Sequence, residues 1–291
     1  MANSIALFSV YVKLLDDVYK SASKSAVLES DPALLQQTAE ASEFKVPKIS
    51  MNGLGDYSRT NGYVKGDATL AYETKQADYD RGRSFNIDRM DNAESAGIAF
   101  GKLSSEFIRT WVAPELDAYR FAKYCAKAGH VTAAALADGA AALAALEAGL
   151  STVDESEVPE EQRFLFITPT LLNSINDLDT TKSRAALNRF MQTNIIRVPQ
   201  GRFYSVIDLR DGSTTGEEAG GYIKNATSGK NIDFMIVHKP AVMQYTKNVV
   251  NKVISPDDNQ EMDAWKFFYR NYGLADAFDN KVNGIYVHTG A

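Results

Sequence analysis

Residues 44–90 carry too little apolar surface to fold on their own. Short alternations such as Ile49/Met51 and Leu70/Tyr72 are separated by Gly53, Gly55, Gly62, Gly66 and Gly82, a pattern of strands broken by turns. Asn61-Gly62, between Tyr57 and Tyr63, signals a tight hairpin, because both turn positions need positive φ. A two-stranded ribbon is marginal alone in water. This excursion must therefore lie on something, and whatever fold the chain adopts has to supply that support.

The rest of the chain is long enough to do so. With 291 residues it holds one large or two modest domains, and 45% hydrophobic against 23% charged residues describes an ordinary folded protein. Subtracting 37 acidic from 31 basic residues leaves a formal charge of −6, which argues against a chain whose main task is gripping nucleic acid. Cys125 is the one cysteine, so no internal disulfide or cysteine-pair site exists, and burial is its expected fate. Residues 5–15 are briefly apolar but lack a basic lead-in and run into Asp16 and Asp17, so no signal peptide is expected. The longest apolar run, residues 133–146, is broken by Asp138 and Gly139 and falls short of the ~20 residues a membrane span needs.

Residues 1–43 read as an arm of helices, with Asp31 as an N-cap, Pro32 at the first helical position and Leu34 and Leu35 as sparse apolar anchors. Phe85 and Ile87 alternate up to Asp91 and Glu94, a capping box for the next helix. From Ala93 the positions Gly97, Phe100, Leu103, Phe107 and Trp111 predict a long helix with one buried stripe, kinked or restarted at Pro114. Together with Tyr119, Phe121 and Tyr124 it spans roughly 35 residues, about 50 Å at 1.5 Å per residue. Residues 132–255 read as an α/β lobe. It opens on an Ala-rich helix with Leu136, Leu143, Leu146 and Leu150 on one face, followed by the acidic loop 154–161. Strands are expected at 164–167, 195–198, 203–207 and 232–237, and helices from Pro169, around 185–191 and from Pro240. Trp265, Phe267 and Tyr269 mark an aromatic strand, and Asn283-Gly284 turns into a last one at 285–288.

No catalytic or metal site emerges. Ser228-Gly229-Lys230 and Gly53-Leu54-Gly55 both fail the spacing of a phosphate loop. His130, His238 and His288 are scattered, whereas zinc or iron would want clustered ligands. Residues 212–216 miss the spacing of a nucleophile elbow by one. Asp177 and Asp179 begin like a calcium loop that Lys182 and Arg184 then spoil. Asn225-Ala226-Thr227 is a sequon in a surface loop, without export to modify it. No cofactor is expected. The densest charged motif runs from Asp80 to Asp91. It reads either as a solvated ribbon edge, or as a set of guanidinium forks, Arg81, Arg83 and Arg89, that grip carboxylates on another subunit. DNA phosphate contact is the third reading, weakened by the four flanking aspartates.

Residues 79–88 (YDRGRSFNID), 113–120 (APELDAYR), 164–169, 234–240 (FMIVHKP) and 265–270 (WKFFYR) through 284–288 resemble, in that order, the major capsid proteins of tailed bacteriophages. The resemblance covers about residues 44–291. It implies an α+β fold of the Hong Kong 97 phage coat type: an N-terminal arm at 1–43, an extended β loop at 44–90, a spine helix of a peripheral domain at 91–131, an axial domain at 132–255 and peripheral return strands at 256–291. It also implies a structural, non-enzymatic subunit of an icosahedral virion shell around double-stranded DNA, assembled in the host cytoplasm. Its partners would be copies of itself, as pentamers and hexamers, with a separate scaffolding protein, portal and cement proteins beside them. Arg81, Arg83, Asp88, Arg89, Tyr63 and Tyr72 are the expected contacts between subunits, and charge reversal at Arg81 or Arg83 should harm assembly more than folding. Some relatives form Lys-Asn crosslinks. Lys65 or Lys75 are conceivable donors here, but no acidic residue can be assigned to promote the reaction. The alternatives are an encapsulin-type bacterial compartment of the same fold and, from another class, an enzyme built on residues 132–255.

Overall fold

The computed structural model describes residues 23–31, 36–37, 43–60, 62–90 and 105–291, and for residues 36, 37, 43, 44, 247 and 248 the backbone only. The helix expected after Pro32, the Asp91/Glu94 capping box, the stripe from Ala93 to Leu103 and Asn61 lie outside the described residues.

In chain order, β1 (Gln36–Gln37), β2 (Glu43–Met51) and β3 (Ala68–Gln76) form an antiparallel ribbon, and β4 (Tyr79–Asp88) follows. Helical structure over residues 105–127 ends in α1 (Ala113–Lys127). Next come β5 (His130–Ala133), α2 (Gly139–Glu155), β6 (Arg163–Ile167), α3 (Pro169–Asp177), α4 (Thr181–Asn188) and β7 (Ile195–Arg197). A small ribbon of β8 (Ile207–Leu209) and β9 (Tyr222–Lys224) precedes β10 (Ile232–His238), β11 (Val242–Ile254), β12 (Ala264–Ala277) and β13 (Ile285–Thr289).

Two sheets organise the body. The first has the order β5-β13-β10-β6-β7, with β13, β10 and β6 antiparallel and the two outer pairings parallel. Its central strands are buried on both faces: Phe234 and Ile236 meet Leu143, Leu146 and Leu150 of α2, while Met235 and Val237 share the opposite core with Phe121 and Tyr124 of α1. Asp138 caps α2 by accepting from Ala141 N at 2.8 Å. Gly149 lets that helix close on the sheet, since a Cβ there would stand 2.7 Å from the Tyr286 ring. The second sheet, β11-β12-β4, is long: β12 has 14 residues, about 48 Å at ~3.4 Å per residue. Phe267 and Tyr269 point from it into the α1 core. Cys125 is buried as expected, and burial pushes its thiol up to about 11.

Three expectations change. Ile108 and Val112 are buried and Phe107 packs half-buried on the core beside Phe85 and Tyr269, but Trp111, expected on the buried stripe, is 48% exposed. The cause is a π turn at Ile108–Val112, directly before Pro114, where the Ala113 amide reaches back five residues to Ile108 O. Pro114 has no N–H to give and crowds the preceding turn, and the wider turn accommodates it while rotating the helix face. Second, residues 203–206 are not a strand, and only β8 forms beyond them. Third, the boundaries at 90 and 255 do not follow the sheets. Residues 79–88 leave the excursion to pair with β12, β11 belongs with that same long sheet, and β13 returns to the centre of the five-stranded one. Pro240 is the middle residue of a single 3-10 turn, Lys239–Ala241, which carries the chain from one sheet to the other.

Candidate assembly surfaces

The register of the β2/β3 hairpin, Ile49 opposite Leu70, Pro47 opposite Tyr72 and Met51 opposite Ala68, places these side chains on one face. All six are exposed, Ile49 at 58% and Leu70 at 55%. The ribbon is therefore apolar along one side, although its overall composition reads as polar. Beyond it, residues 52–60 and 62–67 belong to an open tip. There Ser58 and Gly62 exchange backbone hydrogen bonds at 3.1 and 2.7 Å, Gly62 has φ +76°, and Tyr63, 88% exposed, meets Tyr57 edge-on at 4.9 Å. The Gly62 signal thus marks a local turn inside a longer tip.

The opposite face anchors the root. Val46 packs on Met243, Tyr245 and Phe278. The buried Lys75 ammonium lies 2.7 Å from Glu73 and 3.2 Å from both Asp276 and Asp279. Burial alone would lower the Lys75 pKa, but the hydrogen bond to Glu73 and the charge of Asp276 outweigh it and hold the ammonium above the usual lysine range. A buried, firmly protonated amine is a poor nucleophile, so Lys75 does not suit the crosslinking chemistry considered for it. Between β3 and β4, Asp78 accepts from Tyr119 and Lys123 of α1.

The arginine strand has partners inside its own chain. Arg81 donates to Glu115 Oε1 at 2.8 Å and to Arg210 O at 2.7 Å, and Arg83 donates to Glu218 O at 2.9 Å and Ala219 O at 3.2 Å. Arg89 pairs with Asp257 and, at 2.9 Å, with Asp263. Asp88 caps its own strand end by accepting from Met90 N at 2.8 Å. Arg81 and Arg83 thus fasten the loop at 210–221, which turns through positive φ at Gly212, Gly216, Gly220 and Gly221. Tyr63 and Tyr72, by contrast, stand exposed on the hairpin. The structure brings Arg81 and Arg83 together over one loop and leaves Arg89 and the two tyrosines apart. Under that loop, Tyr79, Phe85, Phe107, Trp111 and Tyr269 line a cleft of about 630 Å³ with Arg81 and Glu115 at its wall.

Sequence reading missed the polar contacts made by α1. Glu115, Asp117 and Arg120 are all buried within a largely apolar helix, and charged side chains that share the buried face of a helix need partners. That signal was present in residues 113–120, without saying what the partners are. Glu115 takes Arg81 and the Tyr79 hydroxyl, and Asp117 takes residues 23–25. Among the described residues, no cluster of three or more His, Cys, Asp or Glu converges as metal ligands would, and no helix is long and apolar enough to cross a membrane.

No protein-family model and no curated protein matches the chain. Solved structures do. One from Mycobacterium phage Che8 is similar at TM-score 0.59 and 11% identity, over 86% of this chain and 85% of that one. The capsid structure of Staphylococcus phage Andhra matches at 0.59 and 11%, over 91% and 83%. The crystal structure of a virus-like particle from Pyrococcus furiosus matches at 0.58 and 12%, over 97% and 99%. The chain has the α+β fold these structures share, the Hong Kong 97-type coat fold that its sequence resemblance implied.

Proposed function

We propose that the chain is the major coat subunit of a tailed bacteriophage, assembling from copies of itself into an icosahedral shell around double-stranded DNA. One observation carries the reading: the hairpin holds Ile49, Met51, Leu70 and Tyr72 in water on a single face while its root is pinned to the body. A monomer has no reason to extend such a face, since apolar side chains in register are stabilised only when something covers them. A neighbouring copy is the natural cover, with the hairpin crossing the neighbour's spine helix. Weak contacts repeated around a closed shell then become effectively intramolecular and add up to a durable particle. A structural rather than catalytic role fits these surfaces. Pentamers and hexamers, a separate scaffolding protein, portal and cement proteins, and assembly in the host cytoplasm belong to the same proposal.

A compartment shell of the same fold is the second reading, supported by the end-to-end likeness to the Pyrococcus furiosus particle. Negative-stain microscopy of the expressed chain, with and without a co-expressed scaffold, tests both. Particles containing nucleic acid support the coat reading, and particles filled with protein cargo support the compartment. A compact monomer under every condition overturns both.

A further inference from the structure

Asp117 is fully buried on α1 and receives five hydrogen bonds. Its Oδ1 accepts from Ser23 Oγ at 2.7 Å, Ser25 Oγ at 2.7 Å and Ser25 N at 3.0 Å. Its Oδ2 accepts from Lys24 N at 2.8 Å and Arg202 Nη1 at 3.1 Å. Four of the five donors come from three consecutive residues more than 90 positions upstream. Two successive amides closing on one anion form the concavity that backbone nests offer to phosphates and carboxylates. Here the arm supplies the nest and the body supplies the anion.

The contacts continue along the arm. Arg120 donates to Ser25 Oγ at 3.0 Å, and Leu28, at the end of the 3-10 turn Ala26–Leu28, is completely enclosed. Glu29 accepts from Thr246 N at 3.1 Å and Gln244 Nε2 at 3.0 Å. Ser30 N donates to Gln244 O at 3.0 Å, where β11 begins. Residues 23–30 are thus held as a bound peptide is held, with a charge at one end, an apolar anchor in the middle and strand-like pairing at the other end. Apolar packing alone would hold a segment more cheaply than a desolvated carboxylate does. What the carboxylate adds is register, because the two hydroxyls and two amides of residues 23–25 fit it in one alignment only.

We infer that Asp117 is the positioning residue of the arm segment 23–30: it sets the register in which that segment lies on the body, and the contacts between copies depend on that register. This inference rests on the shell reading above. The test uses the full chain carrying Asp117→Asn, which keeps the shape but turns one acceptor into a donor facing donors. Hydrogen exchange of the peptide covering residues 23–30 should quicken at least tenfold, while β10 and β13 exchange as before and shell yield falls at least fivefold. The double variant Ser23→Ala, Ser25→Ala, which leaves the carboxylate in place, should move both readouts in the same direction by less. Unchanged protection of residues 23–30 overturns the inference, as does loss of that protection with unchanged shell yield. Equally faster exchange in the central strands also overturns it, because that marks general destabilisation. If the unaltered chain forms no shells, the shell reading and the control of assembly both fall, and exchange decides the anchor alone.

Discussion

Replacing Ile49 and Leu70 together by serine isolates the hairpin face, because the two side chains oppose each other on the side of the ribbon away from Val46, which anchors it to the body. Each is a little over half exposed, at 58% and 55%. Full burial of an aliphatic side chain contributes about 1.5–3 kcal/mol, so covering the exposed half of each is worth roughly 1–1.5 kcal/mol. The pair then removes about 2–3 kcal/mol per hairpin contact, roughly 30- to 150-fold in each pairwise association constant. The concentration at which shells appear should rise accordingly, read by light scattering after size exclusion and by microscopy. The unassembled subunit should keep its Tm to within about 1 °C, as surface substitutions do. Shells at the unaltered threshold would refute the reasoning, because the face would then cover nothing. A Tm fall of several degrees would refute it too, because the face would already be packed within its own subunit.

Arg81 and Arg83 should separate. Arg81→Met leaves buried Glu115 short of a charge-assisted partner, at a cost of about 2 kcal/mol or roughly 4–8 °C in subunit Tm, while the exposed Arg83→Met stays within about 0.5 kcal/mol; equal effects in calorimetry would contradict the placement of Arg81. Its charge reversal should therefore harm folding as well as assembly, contrary to the expectation from sequence. The raised pKa of Lys75 means that its contribution is complete below the ordinary value of 10.5 and is lost only as the pH climbs through the higher folded value. Exchange protection at residues 73–79, corrected for intrinsic rate, should accordingly hold from about pH 6 to about pH 10, and opening inside that window would exclude the ion cluster. Gly149→Ala drives a methyl against the Tyr286 ring and should cost about 1–3 kcal/mol in denaturant unfolding; a neutral result would mean that α2 can lift off the sheet.

Elements whose own residues settle their partners were legible. β10 and β6 read as apolar runs because both their faces are buried, and Leu143, Leu146 and Leu150 lie on the buried face of α2 as read, whereas Leu136, expected with them, precedes the helix. Trp111 misled because it lies within the single turn of π-helix that rotates the helix face from Ile108 onward, and no local residue count contains that shift. Arg81 illustrates a different limit. Its charge was visible, but its partner Glu115 lies 34 positions away across a strand-to-helix step that sequence spacing does not encode. The hairpin's apolar face was legible strand by strand, in the alternations Ile49/Met51 and Leu70/Tyr72, but that the two sets join into one stripe follows only from the register of β2 on β3. Asp117 was legible as a charge in an apolar helix but not as a receptor for residues 23–25, whose own sequence carries no periodicity.

The placement of β13 bears on how such a subunit is made. It lies between β5 and β10, and Tyr286 and Val287 pair with both neighbours. A ribosome must therefore deliver residues 285–289 before β5 has any strand to join and before β10 ceases to be an edge. A chain without residues 285–289 would leave β10 an open edge and β5 without the strand it pairs with, so the five-stranded sheet closes only on the last strand to be made.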